Sequence, residues 1–128
     1  MTLLEQVVAD LQAATGVQVS YGRARTIEGT VITVTQDETA ENTMFAERGF
    51  DIDVYAPGPD PSVIERLRRT IERTLHYRLV GETDDAGAVR LRVQDQAYVE
   101  DEDDYSHWTM RAVARIFRLD AARAKGGF

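Results

Sequence analysis

The chain has 128 residues, 43% of them hydrophobic and 29% charged, and contains no cysteine. That length fits one domain with a modest core, and the lack of cysteine excludes disulfide scaffolds and thiolate chemistry. Fifteen Lys and Arg against 22 Asp and Glu give a net charge of −7, the wrong sign for a surface that grips nucleic acid through its phosphates.

Thr2–Ala14 reads as an amphipathic helix. Leu4, Val7, Val8 and Leu11 recur at helical spacing, with Glu5, Gln6, Asp10 and Gln12 on the other side. Thr2 and Glu5 have the spacing of a capping box, and Gly16 suits the stop. Val17–Tyr21 is a short strand, and Gly29–Thr35 is a second, dense in β-branched residues. The polar stretch Gln36–Asn42 is expected to be a loop. A third strand covers Thr43–Tyr55, where Phe50, Ile52 and Val54 alternate with Asp51, Asp53 and Tyr55. Gly49 marks a suspected bulge.

All three prolines fall in Pro57–Pro61, which ends in an Asp N-cap and a Pro at the first helical position. The helix that follows is expected over Pro61–Val80, with Ile64, Leu67, Ile71, Leu75 and Leu79 as its apolar stripe and Gly81 as its stop. Val89, Leu91 and Val93 then alternate with Arg90, Arg92 and Gln94, a strand that can continue to Val99. The acidic run Glu100–Asp104 separates it from Tyr105–Leu119. There Met110, Ala112, Ala114 and Ile116 alternate as in a strand, whereas Met110, Val113, Ala114 and Phe117 also fit a helical face. Pairing across an acidic turn favours a hairpin. The order is α-β-β-β-α-β-β: a single α+β domain over residues 1–119, mainly antiparallel, with two helices on one face of the sheet and a flexible tail at 120–128.

No Gly-rich phosphate loop can be written from the nine glycines, and the two histidines, His76 and His107, lack zinc-ligand spacing. Ser106 and His107 are adjacent, so on a strand they point to opposite faces and make no nucleophile–base pair. The run Glu100–Asp104 lacks the spacing and central glycine of a calcium loop; it reads as a solvated turn or as an acidic docking loop. Asp51 and Asp53 share a strand face and could pair as acid and base, but they are better read as the solvent side of an amphipathic strand. No cofactor or metal is implied. Tyr55, Phe45, Val113, Phe117 and Trp108 have no obvious cover if only Phe50, Ile52 and Val54 meet the helices, which points to a partner or an oligomer.

The apolar runs are too short to cross a bilayer. Met1–Asp10 lacks a basic n-region and an apolar h-region, so the chain is expected to remain in the cytoplasm where it is made. Fourteen of the basic residues are Arg, with Lys125 the one Lys. That usage fits a GC-rich coding bias as well as interface contacts.

The opening helix with Leu3-Leu4-Glu5-Gln6-Val7-Val8, two short strands, a polar loop and the strand Phe50-Asp51-Ile52-Asp53-Val54-Tyr55 form a recognisable order. The helix Val63–Leu79 and a hairpin ending His107-Trp108-Thr109-Met110-Arg111-Ala112-Val113 complete it. Over about residues 2–119 the chain resembles the tail-terminator, or head–tail joining, proteins of long-tailed phages. The resemblance implies a structural protein of the virion neck, not an enzyme. It would form a hexameric ring that caps the tail tube, meets the head connector (stopper) and passes DNA without holding it, with no membrane contact. An acidic channel wall suits that passage.

The resemblance also places ring and tube contacts at Gln36–Asn42, with Asp37, Glu38, Glu41 and the neighbouring Met44 as partner-binding candidates. Reversing the charges of Asp37, Glu38 and Glu41 is expected to block tail joining and leave folding intact. Glu100, Asp101 and Asp103 of the acidic run are further candidates for docking. Two other classes remain open: a stand-alone cytoplasmic adaptor that dimerises through its sheet, and a small enzyme using Asp51, Asp53 or Asp101–Asp104 with a divalent cation.

Overall fold

A computed structural model describes residues 1–22, 29–58, 61–101 and 105–117. Helix α1 (Leu3–Thr15) leads into strands β1 (Val19–Tyr21), β2 (Val31–Ala40) and β3 (Phe45–Pro57). Helix α2 (Pro61–Leu75) follows, then the short strands β4 (Leu79–Val80) and β5 (Val89–Arg90), and finally β6 (Arg92–Asp101) and β7 (Tyr105–Phe117). The main sheet has the order β1-β2-β3-β7-β6; β4 and β5 form a small second sheet. Among the described residues only β1 and β2 run parallel, and every other strand pairing is antiparallel. This is the predicted α+β domain and element order, with the β4–β5 ribbon added. The predicted tail at 120–128 lies outside the described residues, as does Asp103.

Helix α1 begins with the capping box: the Glu5 N–H donates to Thr2 Oγ1 at 3.1 Å and the Thr2 N–H to Glu5 Oε1 at 2.8 Å. It ends at Gly16, whose φ of 68° needs no Cβ penalty. Leu3, Val7 and Leu11 of α1 and Ile64, Leu67, Ile71 and Leu75 of α2 are buried against one side of the sheet. The sheet answers with Ile32, Val34, Phe50, Ile52, Val54, Trp108 and Met110. Trp108, expected to need an outside cover, is therefore a core residue. It sits at an even position of β7, which faces the helices.

Three boundaries differ from the sequence reading. Of the expected loop Gln36–Asn42 only Glu41 and Asn42 are loop: β2 continues to Ala40 and pairs residue for residue with β3 down to Ala46. Gly49 carries no bulge, because its partners Asp37 and Val113 lie in unbroken register; the irregularities fall in β6, at Val93/Asp95 and Tyr98/Glu100. Helix α2 stops at Leu75 rather than Val80. Tyr77 takes a left-handed φ of 61°, and its N–H donates to the Leu91 carbonyl at 2.9 Å while the Leu91 N–H donates to Arg78 O at 2.8 Å. Leu79 consequently leaves the helical stripe and is 57% exposed. The His76 ring serves this turn, its Nδ1 accepting from the Val93 N–H at 3.1 Å.

Candidate assembly surfaces

Odd-numbered residues of β3 and β7 form the other side of the sheet, on which neither helix packs. Cross-strand pairs organise it. At one end His107 Nε2 lies 2.7 Å from Asp53 Oδ1 and its ring stacks on Tyr55, centroids 4.2 Å apart; Tyr105 meets Tyr55 edge-on at 5.8 Å. At the other end Phe45 and Phe117 pack at 5.3 Å, with the Arg115 guanidinium 4.2 Å above Phe45. Between them Arg111 donates to Asp51 at 3.0 Å and, over Gly49, to Asp37 at 2.8 and 3.0 Å. The expected solvent-side placement of Asp51 and Asp53 holds. Val113 is buried within this face, while Phe117 stays 47% exposed.

The candidate residues of the first group are largely engaged within the chain. Asp37 is held by Arg111, whose hydrogen bonds lower its pKa against a smaller opposing effect of burial. Glu38 Oε2 accepts from Arg48 at 2.9 and 3.2 Å, and Glu41 accepts from Arg115 at 3.0 Å. Met44 lies in the turn, its N–H donating to Asn42 Oδ1 at 2.8 Å. The second group sits elsewhere. Glu100 and Asp101 close β6 opposite His107 and Ser106, at the end of β7 remote from the β2–β3 turn. With about 3.4 Å per residue along β7, roughly 20 Å separates Glu100 from the register position of Asp37, and about 34 Å separates it from the turn beside Phe45.

Sequence reading missed Arg48. It occupies a helix-facing position of β3 and is 7% exposed. Its guanidinium joins Glu38 to Asp85 at 2.8 Å, and Asp85 also accepts from the Leu3 N–H at 2.9 Å. One buried cation thus ties the long hairpin to the start of α1. The signal was present as an Arg in phase with Ala46, Phe50 and Ile52.

Two exposed regions remain. Strand β6 forms an edge of the main sheet, and Gln94–Val99 are exposed on both faces, the arrangement that invites strand addition. The outer side of α2 presents Arg66, Arg69 and Arg73, all exposed. Arg69 approaches Glu65 at 3.5 Å, whereas Arg66 and Arg73 have no carboxylate in salt-bridge range among the described residues. No group of three or more His, Asp or Glu side chains among the described residues is placed to hold a metal ion. No described helix is long and apolar enough to cross a membrane.

No protein-family model matches the sequence, and no curated protein sequence is similar to it. Solved structures do match. One, known only by a sequence identifier, superposes with a TM-score of 0.67 at 13% identity, covering 88% of both chains. Another belongs to the virion of a native gene transfer agent particle; it superposes with a TM-score of 0.60 at 18% identity, covering 91% of this chain and 95% of that one. At these identities the likeness establishes the fold, which is shared along nearly the whole length of each chain.

Proposed function

We propose that the chain is a structural component of a phage-type virion, acting as a tail terminator: a hexameric ring that caps the tail tube and receives the head connector. The observation that carries this reading is the fold match, over nearly the full length of both chains, to a subunit of a gene transfer agent virion. The surface supports it. The sheet is built of long paired strands whose ends carry charge, and its open face consists of cross-strand ion pairs and aromatic ladders. The ends bearing Asp37, Glu38, Glu41 and Met44, and Glu100 and Asp101, contact different partners, as a piece between tube and connector requires. The net negative charge keeps DNA moving through the ring. The chain acts in the neck of the virion after synthesis in the host cytoplasm, and performs no catalysis.

The test is to add the purified chain to polymerising tail-tube protein from the same particle and image the tubes. Capped tubes that stop lengthening are expected; tubes that grow unchanged and uncapped would refute the role.

The exposed edge of β6 supports a second reading, an adaptor that dimerises by joining sheets. A mass fixed at the dimer across all concentrations distinguishes it.

A further inference from the structure

The exposed stripe of α2 is basic, whereas the open sheet face carries more carboxylates than guanidiniums. The open sheet face presents the carboxylates of Asp37, Glu47, Asp51, Asp53 and, on β6, Asp95 against the guanidiniums of Arg92, Arg111 and Arg115. The helix side presents Arg66, Arg69 and Arg73, two of them uncompensated among the described residues, on a chain whose net charge is −7. Ile64, Leu67 and Ile71 turn the same helix onto the opposite face of the sheet, so the stripe and the carboxylates look in opposite directions.

Resting on the ring reading, we propose that these sides are the two halves of the subunit interface: the α2 arginine stripe of one copy docks on the open carboxylate face of the next. The spacings are commensurate. Arg66 to Arg73 spans about 10 Å along a helix, and Glu47 to Asp51 about 14 Å along a strand. Because the two surfaces lie on opposite sides, one partner cannot engage both, and a closed two-fold dimer is excluded for this contact. The association is heterologous, and closes into a ring when the rotation per subunit allows it.

The experiment is sedimentation velocity on the full chain, at concentrations where the wild type assembles, using two variants with matched melting temperatures. The helix variant carries Arg66→Glu, Arg69→Glu and Arg73→Glu; the face variant carries Glu47→Lys and Asp51→Lys. Each alone is expected to weaken assembly at least about tenfold, through like charges brought together. Mixed in equal amounts they are expected to assemble again, since the acidic helix of one fits the basic face of the other in an alternating even-numbered ring. Should the face variant fail to fold, the helix variant decides alone, because its three side chains are exposed.

If the wild type forms rings and the helix variant forms them equally well, this interface is wrong and the ring reading stands. If the wild type never self-associates, both fail. A monomer that shifts duplex DNA through the same arginines would also overturn a second copy as the occupant.

Discussion

The Arg111 guanidinium lies across Gly49, in the space that a Cβ at that position would occupy. The glycine is not there for its backbone, which takes no left-handed φ; it is there so that one arginine of β7 can reach past β3 to Asp37 of β2 while holding Asp51. Gly49→Ala displaces the flexible end of Arg111 and is expected to cost about 1 kcal/mol, the scale of partly exposed ion pairs. In an Arg111→Ala background the same change should stabilise by about 0.5 kcal/mol through the unfolded state. A four-member denaturation cycle measures the sign reversal; equal effects in both backgrounds would show that the two residues are not coupled.

Arg48 is a buried cation, and removing it takes away the charge that neutralises Glu38 and Asp85. Arg48→Ala is expected to lose about 2–4 kcal/mol, near the lower end for broken buried pairs, because Glu38 and Asp85 keep side-chain exposures of 33% and 34%. Arg48→Met, which keeps the apolar stem, should lose less. Urea denaturation of both variants checks the order.

Acid should destabilise the protein. Burial raises the pKa of Asp85, but the Leu3 N–H and Arg48 outweigh it and the net shift is downward from the ordinary value of 3.8; Asp37 is shifted downward by Arg111. Groups with a lowered folded pKa stabilise above their unfolded value, and that contribution fades as pH falls through the folded value. The urea midpoint should therefore drop between pH 6 and pH 3, and drop less in Asp85→Asn. A midpoint that holds steady or rises would contradict the assignment.

Reversing Asp37, Glu38 and Glu41 together is expected to lower the melting temperature as well as block joining. Arg111, Arg48 and Arg115 would each face a new cation. The structure thereby revises the expectation that folding stays intact. Neutral Glu41→Gln, at the pair with the more exposed arginine, is the cleaner probe: melting should change little, and a joining assay reads the contact itself.

Much of the fold was legible where one side of an element meets the core. The alternation Phe50-Ile52-Val54 and the stripe Ile64-Leu67-Ile71-Leu75 gave both the elements and their buried sides. Legibility failed where that contrast vanishes. Gln36–Ala40 is exposed throughout, so no apolar alternation marks it as strand; its register is held by the ladder to β3 and by ions. The end of α2 was missed because Leu79 continues the stripe in sequence, while the bonds of Tyr77 and Leu91 that redirect the chain are tertiary. The open face was foreseen as the side of Asp51, Asp53 and uncovered aromatics, but its pairing of Asp37 with Arg111, 74 residues apart, depends on strand order that periodicity does not encode.

The most direct measurement is molecular mass in solution across a concentration series, by sedimentation or light scattering. A monomer that moves toward a hexamer as concentration rises is the predicted result. A dimer whose mass does not change with concentration would contradict the ring and leave the sheet-joined adaptor in its place.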